Sequence, residues 1–98
     1  MLVLVGYDIN TSDDAGLKRL HKISKICENY GQRVQDSLFE MYIDWDKYLL
    51  MKQKLEEKIN KEKDTIRIYI LGNKYENKVV YLGRNKLIKV DKSTPVII

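Results

Sequence analysis

The residue best placed for chemistry is Asp8, which closes the opening stretch Met1-Leu-Val-Leu-Val-Gly-Tyr-Asp8. A short apolar run with valine at positions 3 and 5 reads as a strand buried on both faces, at the centre of a sheet. A carboxylate at the C-terminal tip of such a strand is held rigidly while facing solvent, which suits divalent-metal binding or acid–base work. The plainer reading is that Asp8 ends the strand and opens a turn through Asn10, Thr11 and Ser12. Other reactive side chains are few. His21 is the only histidine and Cys27 the only cysteine, which excludes an intrachain disulfide and a cysteine metal cluster. Both fall in a helical pattern, where His21 reads as a surface residue and Cys27, beside Ile26, as a buried thiol. Ser37 and Phe39 lie next to an expected chain reversal and read as shapers of a cleft near Asp8. A Ser37 hydroxyl there either orders a water or bonds the local backbone. Tyr7 alternates away from Asp8 along the strand and is expected to pack at an interface.

These side chains need elements to position them. Asp13 or Asp14 is expected to cap a first helix that runs to Tyr30 and stops at Gly31. Leu17, Leu20, Ile23, Cys27 and Tyr30 recur at three- and four-residue steps and give it one buried stripe. Lys18, Arg19, Lys22 and Lys25 fall mainly on the other flank, as a solvated face or as a grip on a polyanion. In the stretch Gln32 to Ile43 the apolar alternation changes phase. Val34 and Leu38 share one parity while Phe39, Met41 and Ile43 share the other, which predicts a bulge or tight reversal near Asp36-Ser37. Asp44 or Asp46 should cap a second helix through about Lys63, with Tyr48, Met51, Leu55 and Ile59 inward and Trp45 anchoring its first turn. Glu57–Lys61 and Lys58–Glu62 would then be exposed i,i+4 pairs.

Thr65 to Leu71 alternates cleanly, with Ile66, Ile68 and Ile70 on one face and Arg67 and Tyr69 on the other. A turn over Gly72–Asn77, a short strand at Lys78–Leu82 and a break at Gly83 follow. Leu87–Val90 and Pro95-Val-Ile-Ile98 are expected to complete a sheet edge, in this subunit or a partner's. The order predicts an α+β ferredoxin-like sandwich, with two helices on one face of an antiparallel sheet. The other face, carrying Arg67 and Tyr69, lacks an obvious cover, and a second subunit would supply one.

Ninety-eight residues, 44% of them hydrophobic, suit a single domain with one core. No apolar run approaches the roughly 20 residues of a membrane span. The apolar start has no basic region before it, so no signal peptide is expected and the cytoplasm is the default compartment. Eighteen Lys+Arg against 14 Asp+Glu give a formal charge of +4, a lean toward a polyanionic partner such as nucleic acid.

Taken in order, these stretches resemble a known family, CRISPR-associated protein 2, a small partner of the CRISPR spacer integrase. The resemblance rests on the strand ending in Tyr7-Asp8 and on the Tyr30-Gly31 helix end with Arg33-Val-Gln-Asp-Ser-Leu-Phe-Glu40 after it. Thr65-Ile-Arg-Ile-Tyr69 and the closing Leu82-Gly83 complete it. It implies a ferredoxin-like core over about 1–83 and a segment over about 84–98 that is exchanged between the subunits of a homodimer. It also implies a divalent metal, usually Mg²⁺ with Mn²⁺ as the alternative, between the two copies of Asp8. The implied activity is metal-dependent endonuclease cleavage of RNA or double-stranded DNA, with Asp8 as catalytic and metal residue. Lys18, Arg19, Lys22, Arg33 and Arg84 are the expected nucleic-acid contacts, and Tyr7, Ser37 and Phe39 the site-shaping residues. Two positions depart from the family's habit. Leu20 and His21 interrupt the arginine run often found in the first helix, and Ile70 stands where many relatives have proline.

Three functions are therefore open. In the first the protein is an endonuclease that depends on Asp8 and a metal. The second makes it a non-catalytic bridge that holds new spacer DNA for the integrase, needing only a basic surface. The third is a toxin-like or regulatory ferredoxin-like module that binds neither DNA nor integrase.

Overall fold

The computed structural model describes residues 1–83. Its elements run β1 (Leu2–Asp8), α1 (Asp14–Tyr30), β2 (Gln32–Gln35), β3 (Leu38–Tyr42), α2 (Trp45–Lys58) and β4 (Thr65–Gly72). The four strands form one sheet in the order β2-β3-β1-β4, with every neighbouring pair antiparallel. This is the ferredoxin-like α+β sandwich that the sequence predicts, and the opening strand is central. It pairs with β3 from Leu2↔Tyr42 to Gly6↔Leu38 and with β4 from Val3↔Ile70 to Asp8↔Thr65.

The side-chain period of two splits β1 between the faces of the sheet. Val3, Val5 and Tyr7 face the helices and join Ile23 and Cys27 of α1, Phe39 and Met41 of β3, and Tyr48, Met51 and Leu55 of α2 in one core. Leu2, Leu4, Gly6 and Asp8 face the opposite way. Burial raises the Cys27 thiol to about 12, so it stays protonated and inert, as expected for a core thiol.

Asp13 caps α1 by accepting the Gly16 N–H at 2.8 Å, and Asp44 caps α2 by accepting the Lys47 N–H at 2.8 Å. Gly31 does end α1, though its backbone is extended rather than left-handed. Glycine is required there by crowding, since a Cβ would stand 2.4 Å from the Glu40 carbonyl oxygen. The expected phase change is real. The register slips between Arg33 and Gln35, and a tight turn at Asp36-Ser37 separates two strands.

Several expectations are corrected. The second helix stops at Lys58 rather than Lys63, because Ile59 turns extended and the Asn60 side chain accepts the N–H groups of Glu62 and Lys63 in a local turn. Glu57–Lys61 and Lys58–Glu62 are therefore not helical pairs, and the observed i,i+4 ion pair is Lys52–Glu56 at 3.5 Å. Leu17 is exposed instead of part of the α1 stripe, and Gly16 is buried in its place. Trp45 is half-exposed and lies over Tyr48, with ring centroids 4.9 Å apart. Residues 78–82 form no strand. Instead the chain after β4 folds back over its own sheet: Tyr75 packs edge-on against Tyr42 at 5.4 Å and the Tyr81 hydroxyl donates to Glu40. Leu2, on the same face, is fully buried. The outer face is thus covered at the Leu2–Tyr42 end and open at the Asp8 end. Leu87–Val90 and Pro95–Ile98 lie outside the described residues.

Candidate functional site

Asp8 sits at the open end of the outer face, solvent-exposed, with no hydrogen-bond or ion-pair partner for its carboxylate among the described residues. Its backbone, by contrast, is fixed on both sides. Before it, the Tyr7 N–H donates to the Ser37 carbonyl at 3.0 Å, and the Tyr7 ring is buried in the core. After it, Ile9 is buried in the same core. Next comes Asn10, whose N–H donates to Asp64 Oδ1 at 3.0 Å and whose carbonyl accepts from Arg19 Nη2 at 3.5 Å. An exposed carboxylate on a fixed backbone is the arrangement a ligand site needs.

Asp64 is the residue that the sequence reading missed. It stands just before β4, fully buried, and accepts the Asn10 and Asn60 N–H groups at 3.0 Å each as well as the Arg19 guanidinium. The Arg19 hydrogen bond, helped by the two backbone N–H groups and opposed by burial, holds the Asp64 carboxyl down at about 2. The available signal was an aspartate between a solvated charge run, Lys61 to Lys63, and the apolar β4. A carboxylate entering a buried strand implies a cation waiting for it.

Two concavities meet at Asp8. One, on the outer face, is lined by Gly6, Asp8, Thr65, Arg67 and Tyr69. Arg67 has no carboxylate partner among the described residues and donates to the Tyr69 hydroxyl at 3.5 Å. The other runs toward α1 past Thr11, Ser24, Arg33, Asp36 and Ser37. Its floor is the Tyr7 hydroxyl, 2.6 Å from Ser24 Oγ. Tyr7 therefore packs inside its own subunit, stacked on Phe39 at 6.2 Å, rather than at an interface. Phe39 is fully buried and carries the Arg33 guanidinium 4.8 Å above its ring. Ser37 is exposed and contributes its carbonyl to Tyr7.

The expected nucleic-acid contacts divide into two groups. Lys18 and Lys22 are exposed on α1, with no carboxylate within ion-pairing distance among the described residues. Arg19 is held by Asp64, and Arg33 pairs with Glu28 at 3.0 Å while also donating to the Asp36 carbonyl. Arg84 lies outside the described residues. His21 is exposed on α1, as expected.

The donor chemistry around Asp8 is hard oxygen, from the Asp8 and Asp36 carboxylates and the Thr11 and Ser37 hydroxyls, which fits Mg²⁺ or Mn²⁺. The number is low in one chain. Among the described residues no three His, Cys, Asp or Glu side chains come together, whereas such an ion takes about six oxygens. Water, substrate phosphate or a second chain has to complete the shell.

A ferredoxin-like sandwich whose central strand ends in an exposed carboxylate, beside a helix bearing exposed lysines, defines a small α+β domain with a carboxylate-tipped cleft. The chain belongs to the CRISPR associated protein Cas2 family, whose model matches residues 1–79. It is 46% identical over 97 residues, 99% of each chain, to the CRISPR-associated endonuclease Cas2 of Halalkalibacterium halodurans. It is 45% identical to the CRISPR-associated endoribonuclease Cas2 of Nitratidesulfovibrio vulgaris, over 85% of this chain and 81% of that one. The crystal structure of Streptococcus pyogenes Cas2 superposes with a TM-score of 0.72 at 43% identity, covering 85% of this chain and all of that one.

Proposed function

We propose that this protein works in CRISPR spacer acquisition as a homodimeric, metal-dependent endonuclease on RNA or duplex DNA, alongside the CRISPR integrase. The observation that carries the reading is the Asp8 carboxylate, exposed and without a partner among the described residues, on a backbone fixed from both sides. Family membership and relatives named as an endonuclease and an endoribonuclease support the activity.

In this reading two copies pair across the open end of the outer face, and their two Asp8 carboxylates would hold Mg²⁺ or Mn²⁺. When bound, such an ion neutralises phosphoryl charge and lowers the pKa of a coordinated water. The protein's own part is positional. Lys18 and Lys22 on α1 draw in the phosphate backbone, and Arg67, beside Asp8, offers a guanidinium to a phosphate oxygen. The rigid β1 end holds Asp8 in place, and Ser37 bounds the cleft through which the strand passes. Residues 84–98 would exchange between subunits and strengthen the dimer.

The test is cleavage of RNA and of duplex DNA with and without Mg²⁺, by the wild type and by Asp8→Ala. The expected result is cleavage by the wild type alone, in metal alone, with a loss of about a hundredfold or more on substitution. Full activity in Asp8→Ala would overturn the reading.

The second reading, a non-catalytic DNA bridge, is favoured by a specific feature. Among the described residues no three metal-ligating side chains gather at the site, while Lys18 and Lys22 have no carboxylate partner there and stay available to phosphate whatever happens at Asp8. If Asp8→Ala supports spacer integration as well as the wild type and neither cleaves, bridging is the function. Family membership leaves the toxin-like or regulatory reading without support.

A further inference from the structure

We infer that Asp64 is a positioning residue for Asp8: with Arg19 it clamps the backbone of Asn10, two residues beyond Asp8, and so fixes the backbone position and Cα–Cβ direction from which the Asp8 carboxylate projects. The inference rests on Asp8 being the metal-holding residue. Asn10 is gripped at three points. Its N–H donates to Asp64 Oδ1 at 3.0 Å, its carbonyl accepts from Arg19 Nη2 at 3.5 Å, and Gly16 packs so tightly that a Cβ there would lie 1.9 Å from the same carbonyl oxygen. Asp64 is itself immobile, because Arg19 Nε at 2.8 Å and the Asn60 N–H at 3.0 Å both bond Oδ2. It also immediately precedes Thr65, the residue of β4 paired with Asp8. One buried carboxylate therefore ties together the exit of β1, the first helix and the entry of β4, all around Asp8.

The Ile9 side chain, buried in the core, already anchors the chain after β1. What the clamp adds is rotational: with Ile9 and Asn10 both fixed, the peptide following Asp8 cannot twist, and the Cα–Cβ bond of Asp8 keeps one direction. A ligand that needs two carboxylates converging from separate chains gains affinity from that restriction.

The test compares the wild type, Asp64→Asn, Arg19→Gln and Asp8→Asn, all well below their melting temperatures. Mn²⁺ affinity is measured by calorimetry, duplex-DNA affinity by titration, and amide hydrogen exchange at residues 8–12 without metal. Asp64→Asn keeps the shape but loses the charge that holds Arg19. Arg19→Gln leaves Asp64 its two N–H donors and serves if Asp64→Asn does not fold. The expected result is Mn²⁺ binding weakened about tenfold, Asn10 exchange accelerated, and DNA affinity within about twofold of wild type. For cleavage, kcat should fall with KM unchanged. If both folded variants bind Mn²⁺ as the wild type does, the clamp is merely structural and the inference is wrong. A wild type whose Mn²⁺ binding equals that of Asp8→Asn would overturn the metal reading, and the positioning role would fall with it.

Discussion

Arg19 and Asp64, 45 residues apart, form a two-pronged ion pair, with Nε to Oδ2 at 2.8 Å and Nη2 to Oδ1 at 3.2 Å. The Asp64 side chain is fully buried and that of Arg19 is 17% exposed. This pair joins the first helix to the entry of the last strand, and it removes Arg19 from the cations free to meet phosphate.

Breaking it should be costly. Asp64→Ala leaves the Arg19 guanidinium and the Asn10 and Asn60 N–H groups unpaired, and is expected to destabilise by about 3 kcal/mol or more. Denaturant unfolding of the two proteins measures it. The pH dependence has a definite sign. The folded Asp64 pKa, about 2, lies below the ordinary 3.8, so the pair's contribution is fully present above about pH 4–5 and fades as pH falls toward 2. Arg19→Gln should move the acid-unfolding midpoint upward. An unchanged midpoint would show that Asp64 owes little to Arg19.

Gly16→Ala is expected to cost about 2 kcal/mol or more, since its Cβ would meet the Asn10 carbonyl oxygen at 1.9 Å. Alanine favours helix intrinsically, so an exposed helical glycine would respond in the opposite direction. Thermal melting decides between the two signs.

Lys18→Glu with Lys22→Glu should weaken nucleic-acid binding at low salt and flatten the slope of log K against log salt. Arg19→Gln should leave both nearly unchanged. Titrations at several salt concentrations separate the residues, and a larger effect from Arg19 would mean that it leaves Asp64 to reach phosphate.

The sequence made the fold legible because local signals agreed with the global one. The 3.6-residue stripe through Ile23 and Cys27 and the alternation of Ile66 and Ile68 match the observed burial. The parity change after Val34 fell on a real register slip. Asp8 was legible too, as a carboxylate ending an apolar run. What failed depended on partners distant in sequence. Arg19 looked like one more cation on a solvated face because Asp64 lies 45 residues away. The turn at Asn60 cut α2 short through a side-chain hydrogen bond that periodicity does not register. Gly16 displaced Leu17 from the buried stripe because a backbone carbonyl crosses the helix there. The outer face looked bare because Tyr75 and Tyr81, expected in a turn and a short strand, return to cover one end of it.

The most direct test of the central claim is the melting temperature of the wild type and of Asp8→Asn, with and without Mg²⁺ or Mn²⁺. Two Asp8 carboxylates brought together across a dimer repel each other, and a divalent ion that binds only the folded dimer stabilises it by mass action. Metal should raise the melting temperature of the wild type in a concentration-dependent way. Asp8→Asn should match or exceed the metal-free wild type and respond to neither ion. An equal metal response in both proteins would contradict the claim.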